Sequence, residues 1–311
     1  MTEYYNGYKF NANSKSVFNP DMAMYFLNKY LDYNEYPEEM IDNNVKTDYG
    51  KVNQLAYNFN DREALKEIMS TGETSTILVD RFNIDTMYSE KEKFKSLLFY
   101  LGMLTIKEKG PNGTILKVPN YVIKTIYWEQ YFEKIREDFN IQIQNVRSAV
   151  TEMRMNGNIQ SLIEIVKDLL ENLSNRDLIQ MDEKNIKMIF LTLLGIDGTY
   201  FIKSTHTGDW VSAHVICELK TSHLYNKANQ YIMLRRKIQL KDITKFQWLI
   251  ELKYIKESEK NTLQKVKEQG LKQLQMYSES KMVKEELEGE NLKKVLIVVV
   301  GKKEVTHKFV I

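Results

Sequence analysis

Apolar residues recur every three or four positions through the middle of the chain and in unbroken runs toward its end, and the two textures predict different structure. Across residues 127–179, Phe132, Ile135, Phe139, Ile143, Val146, Val150 and Met153 keep helical spacing over several turns, the stripe of a helix laid against a core. Asn156-Gly157-Asn158 interrupts the stripe, and Leu162, Ile165, Val166 and Leu169 resume it on a second helix. From Ile186 onward the apolar runs 186–194, 210–217, 231–234, 246–254 and 295–300 alternate with polar stretches and are expected to be strands. The last, Val-Leu-Ile-Val-Val-Val, is apolar on both faces and predicts a central strand covered by helices. Before it, residues 257–287 are expected to be helical, with Leu263, Val266, Gly270, Leu274 and Tyr277 on one side.

The first 125 residues predict a small helical unit that ends in a hairpin. Asn19 is placed to cap a helix with Pro20 in its first turn; Met22, Tyr25, Phe26, Leu27 and Leu31 follow, and Pro37 is expected to stop it. Phe94, Leu97, Leu98 and Leu101 predict another helix, and the β-prone runs 103–107 and 114–118 flank Gly110-Pro111-Asn112-Gly113, a hairpin signal. A hairpin directly after a helix is the layout of a winged-helix unit, expected here to pack against protein because the stretch lacks a run of Arg and Lys. The predicted fold class is therefore α/β (α+β) in three parts. Residues 1–125 form a helical, winged-helix-like part, 126–185 a helical connector, and 186–311 a mixed sheet flanked by helices.

Composition narrows the function classes. With 311 residues, 43% hydrophobic and 11% aromatic, the chain is long enough for about two packed domains. The 44 Lys and Arg nearly balance 42 Asp and Glu, but the balance is an average: from Arg235 to the end there are 18 basic and 11 acidic residues, a net of +7, against −5 before it. Such asymmetry points to a polyanionic partner for the C-terminal part, or else to a solvated lysine-rich face. The single cysteine, Cys217, excludes an internal disulfide and a Cys-rich zinc site, and four histidines argue against a multi-histidine zinc centre. No run of 18 apolar residues and no apolar leader occurs, so a soluble, cytoplasmic protein without membrane contact is expected. No glycine begins a phosphate loop, so no nucleotide is expected.

The chemistry is concentrated in residues 246–254, Phe-Gln-Trp-Leu-Ile-Glu-Leu-Lys-Tyr. Strand alternation sends Phe246, Trp248, Ile250, Leu252 and Tyr254 to one face and Leu249, Glu251 and Lys253 to the other. An adjacent carboxylate and ammonium on an apolar strand are either a cross-strand ion pair or a catalytic pair. A carboxylate can hold a hard divalent cation, and a lysine beside it can orient an attacking water or stabilise charge developing on phosphate.

The stretch Trp248-Leu-Ile-Glu251-Leu-Lys253-Tyr254-Ile-Lys256, the helix carrying Gln269, Gln273 and Tyr277, and the strand 294–301 resemble the PD-(D/E)XK nuclease-superfamily domain found C-terminal to bacterial AAA-ATPase-like domains. In the N-terminal half, Tyr5-Asn-Gly-Tyr-Lys-Phe10 with Val17-Phe-Asn-Pro20 resembles a late region of that ATPase-like domain, and 97–105 with 116–121 its closing winged segment. The resemblance implies a restriction-endonuclease-like sheet and cleavage of DNA aided by Mg²⁺ or Mn²⁺, with Glu251, Lys253 and Gln273 as catalytic candidates. It also implies a chain that starts after the nucleotide-binding core, so no ATPase activity is expected. The family's aspartate position falls on Asn229 or Gln230, which with Glu251 are the candidate metal ligands. An amide keeps an oxygen donor but loses the charge that draws a hard cation from its water, so weak or absent cleavage is expected.

A non-catalytic interaction module for nucleic acid or protein is the alternative. Glu218 and Lys220, with Asp209 upstream, form a second E-x-K arrangement. Arg235, Arg236 and Lys256 are the candidate nucleic-acid contacts, Glu183 is a candidate first acidic residue, and Cys217 is expected to be an inert buried thiol. A protein partner or homo-oligomer is not specified by the sequence.

Overall fold

The computed structural model describes residues 1–37, 39–43, 45–46, 62–81, 91–173, 181–204, 231–237, 244–287, 291–302 and 304–310. The chain divides into two compact units, Met1–Lys134 and Ile135–Ile311. Both mix helix and sheet, as the fold-class reading expects.

In the first unit a short helix α1 (Thr2–Tyr5) leads into strands β1 (Asn6–Tyr8) and β2 (Val17–Phe18), followed by α2 (Pro20–Tyr33). Asn19 caps α2 as predicted: its side chain accepts from the Met22 N–H at 3.1 Å, with Pro20 at the first helical position. The stop is not at Pro37. Asn34 adopts a left-handed conformation (φ 55°) and closes the helix three residues earlier, because an asparagine tolerates that region and frees the chain from helical φ/ψ.

Helix α3 (Arg62–Thr71) and strand β3 (Glu73–Thr76) precede α4 (Lys91–Tyr100), which runs directly into the hairpin β4 (Thr105–Gly110) and β5 (Gly113–Lys117). The order β3-β5-β4 is antiparallel throughout. Gly113 is needed at the turn: its φ is +140°, and a Cβ there would stand 2.5 Å from the Thr76 carbonyl oxygen.

Helix α5 (Tyr121–Phe139) ends in the second unit, where α6 (Ile143–Asn156) and α7 (Gln160–Glu171) follow. The predicted helical stripe is present in all three, and the Asn156-Gly157-Asn158 break falls at the αL cap Gly157 (φ 65°). The run 186–194 is not a strand. It lies in helix α8 (Glu183–Gly195), capped by the Asp182 side chain, with every residue from Ile186 to Leu194 buried. A helix buried on all sides shows the same unbroken apolar run as a buried strand, so periodicity does not separate them.

The sheet of this unit has the order β10-β9-β8-β7-β6. Its strands are β6 (Tyr200–Ser204), β7 (Tyr231–Arg236), β8 (Gln247–Ile255), β9 (Leu292–Val300) and β10 (Glu304–Val310). β8 and β9 are parallel, and the other neighbours are antiparallel. Between β8 and β9 the chain passes through a 3₁₀ turn (Glu257–Thr262) and helices α9 (Leu263–Glu279) and α10 (Lys281–Glu286). Val295 to Val300 are all buried, as expected of a central strand, and each such side chain contributes about 1.5–3 kcal/mol through removal from water.

Helix α9 sits close on the sheet because Gly270 has no side chain: a Cβ there would meet Leu296 Cδ1 at 2.6 Å. Leu274 and Tyr277 pack beneath it with Leu249, Leu296 and Val298. The Trp248 indole is also buried, its N–H shared between the Met153 carbonyl at 3.3 Å and the Tyr200 hydroxyl at 3.1 Å. Among the described residues no helix is long and apolar enough to cross a membrane.

Candidate functional site

Register places the predicted pair. β7 pairs with β8 as far as Tyr231 opposite Glu251, while β9 continues alongside, with Leu296 opposite Glu251 and Val298 opposite Lys253. Tyr231, Glu251, Lys253, Leu296 and Val298 therefore share the sheet face covered by α9. Glu251 thus has described neighbours on both sides, Tyr231 on β7 and Leu296 on β9, and Lys253 has Val298 beside it on β9.

Glu251 is fully buried, and its Oε1 lies 2.7 Å from Lys253 Nζ. Neither carboxylate oxygen accepts a well-directed hydrogen bond from a described residue. A buried, under-satisfied carboxylate is costly to keep ionised. Burial accordingly pushes its pKa up to about 7; Lys253 and, to a smaller extent, Lys187 pull it down, while Glu183 adds to the rise. Glu183, at the start of α8, brings its Oε1 to 4.0 Å from Lys253 Nζ, so the candidate first acidic residue and the E-x-K lysine meet in space.

The two glutamines of α9 have different surroundings. Gln269 is exposed, whereas Gln273, one turn on, has a buried Oε1 with no hydrogen-bond partner. Tyr277, a further turn along the same side, stacks at 4.6 Å on Tyr231 and also has a buried, unpartnered hydroxyl. Burial, chiefly, and the nearby Glu251 hold that phenol far above its ordinary pKa.

The candidate nucleic-acid contacts are dispersed. Arg235 lies inside β7 rather than after it, because the strand runs on to Arg236. Its guanidinium pairs with Glu286 Oε2 at 2.6 Å and lies 4.7 Å from the Phe201 ring centroid. Lys256 is exposed just past β8. Asn229, Gln230, Glu218, Lys220, Asp209 and Cys217 lie outside the described residues, as does the side chain of Arg236.

Lys187 was not singled out by sequence reasoning. It is 1% exposed and belongs to the charges that act on Glu251. Its signal was present as a lone lysine inside the apolar run Ile186-Lys-Met-Ile-Phe-Leu.

Among the described residues, no group of three or more His, Cys, Asp or Glu side chains is placed to hold a metal ion. What this face does offer is oxygen: Glu251 and Gln273 each present a buried, unpartnered acceptor. Hard oxygen donors suit Mg²⁺ or Mn²⁺, and the shortage of charge in the set suits a weakly held ion.

No curated protein matches the chain. The order β6-β7-β8-β9, with a meander, a helical crossover and a parallel fourth strand, is a mixed sheet of the restriction-endonuclease-like kind. Residues 216–309, a stretch that contains both Glu251 and Lys253, match the family model of the PD-(D/E)XK nuclease superfamily.

Proposed function

We propose that the C-terminal domain acts on DNA phosphodiesters in a metal-dependent hydrolysis of low efficiency, with Glu251 and Lys253 as its reacting pair. The observation that carries this reading is a fully buried carboxylate, one oxygen against a lysine and the other unpartnered, inside the stretch that matches a nuclease family. Glu251, with Asn229 or Gln230, would hold Mg²⁺ or Mn²⁺, and the bound ion would supply Lewis-acid stabilisation of the phosphate.

Lys253 has the chain's own part in the reaction. Its ammonium is held by Glu251 and faces Glu183, which fixes a positive charge where an attacking water or a phosphate oxygen would be oriented. Gln273 adds a polar oxygen from the covering helix. The efficiency is low because the position that should bring a second carboxylate carries an amide, Asn229 or Gln230. No nucleotide is required.

The same amides favour a second reading, a module that keeps the nuclease fold and binds nucleic acid or protein without cutting. In both readings the N-terminal unit, with its helix-then-hairpin layout, serves as a winged-type packing element.

Incubation with single- and double-stranded DNA and Mg²⁺ or Mn²⁺ separates the two. The nuclease reading expects slow cleavage, enhanced in Asn229→Asp or Gln230→Asp and abolished by Lys253→Ala. Binding without cutting in every variant would replace it with the interaction module.

A further inference from the structure

Charged side chains are seldom buried without a counter-charge, and Lys187 is among the most deeply buried side chains of the molecule. It lies four residues after Glu183 on α8, so both project from the same side of that helix. Glu183 in turn reaches toward Lys253, which holds Glu251. Lys187 thus lies one turn along α8 from the carboxylate that faces the Glu251–Lys253 pair, on a helix that packs against β8. Among the described residues the group thus contains two carboxylates, Glu183 and Glu251, and two ammoniums, Lys187 and Lys253, with no net charge.

A pocket that takes a divalent cation gains affinity from its own negative charge. Here resident lysines already supply the positive charge, and Lys187 is too deeply buried to reach a substrate. We propose that Lys187 is a positioning residue: an internal cation that balances Glu183 and Glu251 in the metal-free protein and opposes entry of the divalent ion, thereby setting the metal concentration at which the site becomes charged. This rests on the reading of Glu251 as a cation ligand. It makes an unusual demand of mutagenesis, since deleting a buried group should improve binding.

The test is Mn²⁺ binding to the full chain at pH 8, measured by calorimetry, with far-UV circular dichroism as the check on folding. Lys187→Met should tighten Mn²⁺ binding about tenfold, the scale expected from removing a like charge from the surroundings of a buried site. Lys187→Arg, which keeps the charge, should restore the wild-type value. A role confined to packing predicts no tightening, so equal or weaker binding by a folded Lys187→Met overturns the proposal. Lys187→Gln is the second variant, keeping reach and a hydrogen-bond donor, and should tighten binding in the same direction. Loss of fold in both neutral variants also overturns the proposal, since the lysine would then be needed to build the domain. Glu251→Gln separates the two levels: if it binds Mn²⁺ as well as wild type, the metal-site reading itself fails. If it loses binding while the neutral Lys187 variants do not gain, only the role of Lys187 fails.

Discussion

Two carboxylates on one face of the second unit's sheet meet lysine or arginine on different terms. Glu286, at the end of α10, takes Lys203 at 2.5 Å on one oxygen and Arg235 at 2.6 Å on the other, and all three side chains keep 22–31% of their surface exposed. Glu251 on β8 has no exposure and, among the described residues, a single ammonium in contact and an oxygen left over. The first is a saturated ion cluster tying β6 and β7 to α10, with nothing for a ligand to add. The second is incomplete as it stands. Saturation, rather than the presence of a carboxylate beside a cation, is what separates a structural pair from a candidate reacting one.

The widest gap between the two should appear on removing a cation. Lys253→Met leaves Glu251 buried without its partner and is expected to lower stability at pH 8 by about 3–5 kcal/mol, measured by denaturant unfolding. A loss under about 1 kcal/mol would place Glu251 with ordinary surface pairs.

Next in size is a pH effect. In the folded chain Glu251 holds its proton up to about 7, against an ordinary value of 4.5. Below 4.5 the group is protonated in both states. As pH rises from 4.5 to 7 the unfolded chain releases its proton first, so the wild type loses stability across that window and the loss is complete above it. Glu251→Gln removes the titration. Its stability relative to wild type should therefore improve by up to about 3 kcal/mol between pH 4.5 and 7, followed by thermal unfolding without metal.

A smaller effect tests whether close seating of α9 shapes the buried site. Gly270→Ala drives a methyl into Leu296, itself 1% exposed, and should cost about 1–3 kcal/mol while leaving the Glu286 cluster intact. Smallest is Glu286→Gln, expected to cost about 1 kcal/mol because both cations remain partly solvated.

Much of this arrangement was legible from local chemistry. Asn19 and Pro20 announce a helix start, Gly110 to Gly113 announce a hairpin, and alternation along β8 puts Leu249, Glu251 and Lys253 on one face before any coordinates. Gly270 already lay on the buried side of the predicted helix. What stayed hidden depends on partners far along the chain. Arg235 finds Glu286 51 residues away and Lys203 finds it across 83, so neither strand shows in sequence that its cation is engaged. The run 186–194 hid a helix because full burial erases amphipathic periodicity, and with it the clue that Lys187 follows Glu183 by one turn. Left-handed Asn34 ended α2 where proline was the more conspicuous signal. The Glu251–Lys253 pair was visible; its missing hydrogen-bond partners were not, because satisfaction is a property of packing.

The most direct measurement is therefore a comparison of Mn²⁺ binding by wild type, Glu251→Gln and Glu286→Gln at pH 8. If the unsaturated carboxylate is the ligand, Glu251→Gln weakens binding by at least about tenfold, the scale of one lost close charge, and Glu286→Gln binds as wild type does. Equal binding by wild type and Glu251→Gln would contradict the account and return Glu251 and Lys253 to the status of a buried ion pair.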